Sequence, residues 1–270
     1  MTRPRTGLPF LDAGLDQPGA VLAFAHRGGA RHPDLAGLEN TLTAFEHAVG
    51  LGYGYLETDV HSTLDGRLLA FHDDVLDRVT TSVGSITRLR YDEVRDALIG
   101  GRERIPLMPD LLEHFPRTRF NIDLKSDAAV PRLADLVEST GVHDRVCVGA
   151  FSERRLAAFR RLVSRPVATS YGPVGVGLTR YGPRSLARRL LAGRGDALQV
   201  PHRNRGLHIV TEGFIARAHA TGHPVHVWTI DDPDEMGLLL DLGVDGLITD
   251  CTDVLRDVLQ ARGQWLEAPA

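Results

Sequence analysis

From Val21 onward, short apolar runs alternate with segments of helical periodicity. The runs that predict strands are Val21–Ala25, Tyr55–Val60, Arg119–Leu124, Val146–Gly149, Val167–Ser170, Ala197–Val200, Val225–Ile230 and Gly246–Thr249. Between them the pattern predicts helices over Thr41–Val49, Pro109–His114, Val130–Ser139, Glu153–Leu162, Arg184–Leu191, Glu212–Ala220 and Asp234–Leu242. Asn40-Thr41 and Ser152 supply helix starts, and Gly141, Gly222 and Gly243 suit helix ends. The alternation implies an α/β protein with a parallel sheet. Eight such units over about 230 residues match a (β/α)8 TIM barrel. The alternative is an open doubly wound sheet, but no Gly-x-Gly-x-x-Gly follows the first strand, and Gly172–Gly177 reads as a Pro-interrupted loop. Residues 1–20 read as a loose tail, which leaves 21–270 as a single domain.

One segment breaks the rhythm. Leu68–His72 is strand-like but follows Val60 too closely for a parallel crossover, so it returns antiparallel as a β-hairpin. A two-residue turn at Asp65-Gly66 would pair Thr63 with Leu68, His61 with Ala70 and Asp59 with His72.

Composition narrows the function. Apolar residues make up 43% of the 270, enough for a substantial core, and 31 basic against 35 acidic side chains argue against a nucleic-acid binder. The N-terminus carries no signal-like apolar segment, and no run approaches the ~20 residues of a membrane span. A soluble, cytoplasmic protein without integral membrane contact is expected. The two cysteines, Cys147 and Cys251, read as buried free thiols. Of the basic residues only one, Lys125, is a lysine.

The candidate chemistry collects at the C-terminal ends of strands, where barrels carry their active sites. Glu57 and Asp59 share one strand face, either as solvated strand-end acids or as oxygen ligands of a hard cation, Mg²⁺ or Ca²⁺. His26-Arg27-Gly28 closes the first strand and offers a proton donor and a phosphate clamp. His72 adds a second imidazole, and Asp123 and Lys125 place an acid and a cation two residues apart. Two histidines, three carboxylates and two cations around one mouth suit phosphodiester cleavage.

The ordered series His26-Arg27-Gly28, Glu39-Asn40-Thr41, Glu57-Thr58-Asp59-Val60, Thr63-Leu64-Asp65-Gly66 and His72-Asp73 resembles the glycerophosphodiester phosphodiesterase family. Arg78-Val79-Thr80-Thr81, Ile105-Pro106-Leu107, Asp123-Leu124-Lys125, Val227–Ile230 and Gly246–Asp250 continue the match. The resemblance implies a phospholipase-C-like TIM barrel, with residues 73–104 as a short insertion after strand 2 and its hairpin. It implies His26 and His72 as general acid and base, and Glu57, Asp59 and Asp123 as ligands of a divalent cation, Ca²⁺ or Mg²⁺. By the same resemblance Arg27 and Lys125 face the phosphate, and Glu39 lies near the metal or the glycerol hydroxyls. Trp228 walls the pocket, or else packs into the barrel core. The implied reaction is metal-dependent hydrolysis of a small glycerophosphodiester to sn-glycerol 3-phosphate and an alcohol. Two departures stand out: Leu38 where the family usually has proline, and Asp123 where it usually has glutamate.

Other readings are a lysophospholipase-D-like or phosphatidylinositol-phospholipase-C-like enzyme, and a non-catalytic phosphoryl-binding barrel. The lipid activities need an exposed apolar rim, and the sequence shows no long aromatic or apolar loop to supply one. A binding barrel has no use for an acid/base pair. Specificity is expected from the loops 172–182 and 202–208, with His61, His202 and His226 as further pocket candidates or structural histidines.

Overall fold

The computed structural model describes residues 3–183 and 189–266. Eight parallel strands curl into a TIM barrel: β1 (Leu22–His26), β2 (Tyr55–Ser62), β6 (Arg119–Leu124), β7 (Val146–Gly149), β8 (Ala168–Thr169), β9 (Leu198–Pro201), β12 (Val225–Trp228) and β13 (Gly246–Thr249). Ladders run in the order β8-β7-β6-β2-β1-β13-β12-β9, and a parallel bridge between Ser170 and Ala197 joins the two ends. Each barrel strand is followed by at least one helix, the last being Thr252–Ala261. Thr41 and Ser152 cap their helices by accepting from the N–H groups of Ala44 and Arg155. Gly141 and Gly243 end theirs in the left-handed region. Among the described residues no helix is long and apolar enough to cross a membrane.

Strand parity builds the interior. Alternate residues point inward, so Leu22 and Phe24, Tyr55, Cys147, Ala168 and Ile248 form the lower barrel core, while Ala23, Leu56, Phe120, Val148, Val200 and Leu247 pack outward under the helices. Continuing the inward parity upward reaches His26 on β1, Glu57 and Asp59 on β2, and Asn121 and Asp123 on β6. The polar cluster is thus the top of the same column of side chains. Register aligns it: His26 pairs with Glu57, Glu57 with Asn121, and Asp59 with Asp123.

Three expectations change. Residues 3–20 are not a loose tail: Pro9–Asp12 is helical, and Phe10 and Leu11 plug the barrel floor with at most 1% exposure. Phe10 meets Tyr55 edge-on at 5.1 Å, and the Tyr55 hydroxyl donates to its carbonyl. The small residues Cys147, Ala168 and Ala197 share that core with it.

The hairpin is present, but its register is shifted by one. β3 (Leu68–Ala70) pairs Val60 with Ala70, His61 with Leu69 and Ser62 with Leu68. Thr63 N–H bonds the Arg67 carbonyl across a three-residue loop, Leu64-Asp65-Gly66, with Gly66 at φ +84°. A glycine in that conformation absorbs the extra residue as a bulge. Phe71, not His72, therefore bonds to Asp59, its N–H donating to the Asp59 carbonyl at 2.9 Å.

Finally, the segment read as a loop at 172–177 enters a helix, Pro173–Tyr181, begun by Pro173 at its first position. Most of the helix expected over Arg184–Leu191 lies outside the described residues. The insertion carries its own small core of Leu76, Ile86, Val94, Ala97 and Ile99 beside the ribbon of β4 (Leu98–Ile99) and β5 (Glu103–Arg104). A second ribbon, β10 (Arg203–Asn204) with β11 (Leu207–His208), stands over β9. Cys147 is buried and Cys251 half-buried, both as free thiols.

Candidate active site

A cavity of about 770 Å³ opens at the C-terminal end of the barrel. His26, Arg27, Glu57, Asp59, His72, Asp123, Lys125 and Trp228 all line it, so one mouth gathers eight of the nine residues singled out from sequence. Glu39 is the ninth, and it stands behind Arg27 instead.

The turn after β1 aims Arg27. Its backbone is left-handed (φ +49°), its N–H donates to the Glu57 carbonyl at 3.0 Å, and its carbonyl accepts from Asn40, also left-handed at φ +59°. Gly28 follows at φ +86°, and a Cβ there would lie 2.6 Å from the Ala44 side chain, so only glycine lets this turn sit on the helix Leu42–Gly50. Arg27 then pairs with Asp59 and Glu39, each at 3.1 Å. Asn40, fully buried, donates to Asp59 at 3.2 Å and is oriented by the Thr58 hydroxyl.

Lys125 lies between two acids, 2.9 Å from Asp59 and 2.6 Å from Asp123. Burial opposes its charge, but both carboxylates outweigh that and hold it well above the ordinary lysine value. Asp59 is buried as well, yet Lys125 and Arg27 keep its carboxyl below the usual range. Glu57 goes the other way: burial and the adjacent Asp59 push it up to about 7.

Each histidine is tethered through Nδ1. His26 Nδ1 is 2.8 Å from Asp250, and its Nε2 is 3.8 Å from Glu57. Burial alone would lower its affinity for a proton, but Glu57 and Asp250 raise it above the ordinary histidine value. His72 Nδ1 is 2.6 Å from Asp73. In a neutral imidazole whose Nδ1–H donates to a carboxylate, Nε2 is the basic nitrogen. Both rings therefore present the same edge for chemistry.

The oxygen donors that could hold a hard cation are Glu57, Asp59 and Asp123. Their chemistry fits: carboxylates only, with Glu57 raised by burial and then by the adjacent Asp59, a repulsion that a cation relieves. In this conformation Lys125 occupies the gap between Asp59 and Asp123. Among the described residues no three His, Cys, Asp or Glu side chains converge as a coordination shell. Gly149, level with Asp123, leaves that carboxylate free of a neighbouring side chain on β7.

Glu39 sits away from the cavity, held by Arg27 and by two bonds from Arg78 at 2.7 and 2.9 Å. Burial would raise its pKa, but Arg78 and Arg27 together lower it. Trp228 fits both descriptions offered by sequence: it flanks the lower core and meets Phe151 edge-on at 5.8 Å on the cavity wall. His61, His202 and His226 stay out of the lining. His61 bonds the His72 carbonyl, His202 pairs with Glu235, and His226 is buried in the barrel.

Sequence reasoning missed Asp250, Asp73, Arg78 and the catalytic-side role of Asn40, although all four belong to motifs it quoted. It also missed an apolar rim. Phe151 and Tyr181, both about two-thirds exposed, stand with Val176, Ile209 and Trp228 around the side of the cavity opposite the carboxylates. They come from four separate segments, so no single loop announces them.

Comparison with known proteins agrees with this geometry. Residues 26–254 match the glycerophosphoryl diester phosphodiesterase family. A probable glycerophosphodiester phosphodiesterase 2 of Mycobacterium tuberculosis is 41% identical over 253 residues, covering 92% of this chain and 94% of that protein. A putative glycerophosphoryl diester phosphodiesterase from Silicibacter pomeroyi superposes with a TM-score of 0.76 at 22% identity, over 93% of this chain and 97% of that one. A phosphodiesterase from Oleispira antarctica, solved with the product sn-glycerol-3-phosphate, superposes with a TM-score of 0.75 at 21% identity, over 88% of this chain and 96% of that one. With the match running from the first site histidine to beyond Asp250, the chain belongs to the glycerophosphoryl diester phosphodiesterase family.

Proposed function

We propose that the chain hydrolyses glycerophosphodiesters to sn-glycerol 3-phosphate and an alcohol, with His26 and His72 moving protons and a divalent cation held by Glu57, Asp59 and Asp123. The observation that supports it best is the matched pair of tethered imidazoles, His26 on Asp250 and His72 on Asp73, lining one cavity with the carboxylate cluster. Ca²⁺ or Mg²⁺ suits an all-oxygen donor set and, when bound, supplies Lewis-acid stabilisation of phosphoryl charge.

The side chains divide the remaining work. His26, held above its ordinary value by Glu57 and Asp250 against burial, carries a proton and delivers it to the leaving alkoxide oxygen. His72, its Nδ1–H donating to Asp73, takes the proton of the attacking hydroxyl at Nε2. One proton is removed and one is delivered, whether the hydroxyl belongs to water or to the glycerol 2-position. Opening of a cyclic phosphate would reverse the two roles. Arg27 and Lys125 offset the charge of the phosphoryl oxygens.

The test is direct. Purified chain is incubated with glycerophosphocholine and glycerophosphoethanolamine, with chelator or with added Ca²⁺, Mg²⁺ or Mn²⁺, and glycerol 3-phosphate is measured. Product that depends on a divalent cation is expected. No product with any of them would sink the reading, and full activity in chelator would remove the cation from it.

The apolar rim favours a second reading, in which a lysophospholipid is cleaved with its acyl chain against Phe151, Val176, Tyr181 and Trp228. Lysophosphatidylcholine in the same assay separates the two, and a Phe151→Ser variant should lose the lipid activity while keeping that on glycerophosphocholine.

A further inference from the structure

Arg78 lies in the insertion, contributes nothing to the cavity wall, and yet makes four hydrogen bonds to two carboxylates. Its Nε and Nη2 donate to Asp73 at 2.6 and 3.1 Å, and its Nη1 and Nη2 donate to Glu39 at 2.9 and 2.7 Å. The Asp73 oxygen that accepts from Nη2 is the same Oδ1 that holds His72 Nδ1. Glu39 in turn grips Arg27 at 3.1 Å. One guanidinium therefore closes a chain that runs from Arg27, beside the phosphate position, to the imidazole at the opposite wall.

The backbone that presents Arg78 is itself fixed. The Thr80 hydroxyl and N–H both donate to the Leu76 carbonyl, at 2.9 and 3.1 Å, and Leu76 is fully buried in the small core of the insertion. The Leu76 N–H bonds the Gly84 carbonyl, and the Gly100 N–H bonds that of Val79. The stem of Arg78 thus leaves a stapled turn, and both edges of its planar head are used.

We propose that Arg78 is a positioning residue for the reaction: it holds Asp73 against His72, which fixes the imidazole with Nε2 as the basic nitrogen, and through Glu39 it fixes Arg27. This rests on the acid/base reading of His72 given above. The insertion then does more than cover the barrel mouth, because its folding delivers the group that orients one wall of the site. A neutral His72 without a steady acceptor at Nδ1 divides between two tautomers, of which only one presents a basic Nε2. Hydrogen bonding to Arg78 also holds the Asp73 carboxyl down at about 2, so this acceptor stays charged wherever the enzyme works. Glu39, saturated by two arginines, is assigned here to the frame and not to the metal or the glycerol hydroxyls.

A bidentate fork to each of two acids is a geometry that lysine lacks. A solvent-exposed ion pair with only a surface role would contribute little. The two cases separate in kinetics. Arg78→Gln and Arg78→Lys are compared with the unaltered chain and with His72→Ala, using glycerophosphocholine as substrate and thermal unfolding as the control. We expect Arg78→Gln to lower kcat by roughly ten- to a hundredfold, consistent with the loss of a group that orients a proton carrier. KM should stay within about twofold, and Arg78→Lys should recover only part of the rate. In the His72→Ala background, Arg78→Gln should cost much less than in the unaltered chain, since the part that acts through that ring is already gone and only the part carried by Glu39 and Arg27 remains.

Asp73→Asn keeps the shape but not the charge and serves as a second variant if Arg78→Gln unfolds; it should reproduce the kcat loss. A kcat within twofold of the unaltered chain for Arg78→Gln, or a loss that multiplies that of His72→Ala in full, overturns the assignment. An unaltered chain with no phosphodiesterase activity overturns the proposed function and this assignment with it. An active chain indifferent to Arg78 overturns this one alone.

Discussion

Lys125 Nζ lies 2.6 Å from Asp123 Oδ2: Asp123 is on β6, and Lys125 follows the last residue of that strand, two positions on, with its N–H donating to the Val60 carbonyl. The same ammonium reaches Asp59 at 2.9 Å, so the only lysine of the chain pairs with two carboxylates of the site at once. Removing one partner of a buried ion pair leaves the other charge uncompensated, at about 3–5 kcal/mol. Lys125→Met should therefore destabilise the chelator-treated chain by roughly that amount in urea unfolding. If Asp59 and Asp123 are cation ligands, added Ca²⁺ or Mg²⁺ should restore part of the loss.

Activity makes the sharper comparison at that position. A compact ammonium fits between two carboxylates where a guanidinium fork does not. Lys125→Arg should lower turnover far more than Arg161→Lys, a change of the same kind at an exposed helix position. Equal effects from both would reduce Lys125 to a charge without a geometric role.

His26 and Asp250 form the second tested relationship. Asp250 raises the proton affinity of His26 by hydrogen bond and by charge, and Glu57 adds to it, against the opposing effect of burial. Asp250→Asn removes a negative partner, so the His26 pKa should fall. NMR titration of the imidazole in the chelated chain reads this directly. Turnover should drop by about 10²–10⁴, the range typical of losing a proton-transfer group or its orienting carboxylate.

Much of this was readable before any coordinates. β6, β7 and β13 have the bounds that the sequence predicts: β7 and β13 are short apolar runs, as strands covered on both faces are, while β6 alternates Phe120, Ile122 and Leu124 with polar residues that point into the barrel. The site residues were readable for a related reason: a polar side chain at the end of such a run has few other uses. The hairpin register was not, since the bulge at Gly66 depends on backbone geometry that Asp65-Gly66 permits but does not dictate. Asp250 was within reach. Closing the barrel pairs β13 with β1, Thr249 stands level with Ala25, and the next residues on each strand are Asp250 and His26. The Arg78 contacts were out of reach, because they depend on how the insertion folds back over Glu39.

The plug at the barrel floor separates stability from catalysis. Phe10 is buried against Tyr55 and Phe24, at the far end of the column of inward side chains from the site. Phe10→Ala should cost about 3–5 kcal/mol, the usual cost of emptying a buried aromatic position. Turnover at saturating substrate should be unchanged wherever the chain remains folded. A loss of turnover without a loss of stability would mean that the floor communicates with the mouth.

His226 makes stability depend on pH with a definite sign. It is fully buried between those two ends, tilted against Phe24 with ring centroids 5.0 Å apart, and its Nε2 is unpartnered among the described residues. Burial, aided by the charge of Arg3, pushes its pKa from the ordinary 6.5 down to about 3. Between those values the unfolded chain binds a proton that the folded chain does not. The stability present in full above pH 6.5 is therefore lost progressively as pH falls toward 3, at about 1.4 kcal/mol per unit from this group. His226→Met, similar in bulk and without a titrating group, should flatten the urea-unfolding profile over that window relative to the unaltered chain. Parallel profiles for the two chains would show that the ring is protonated in the fold and that the barrel interior admits its charge.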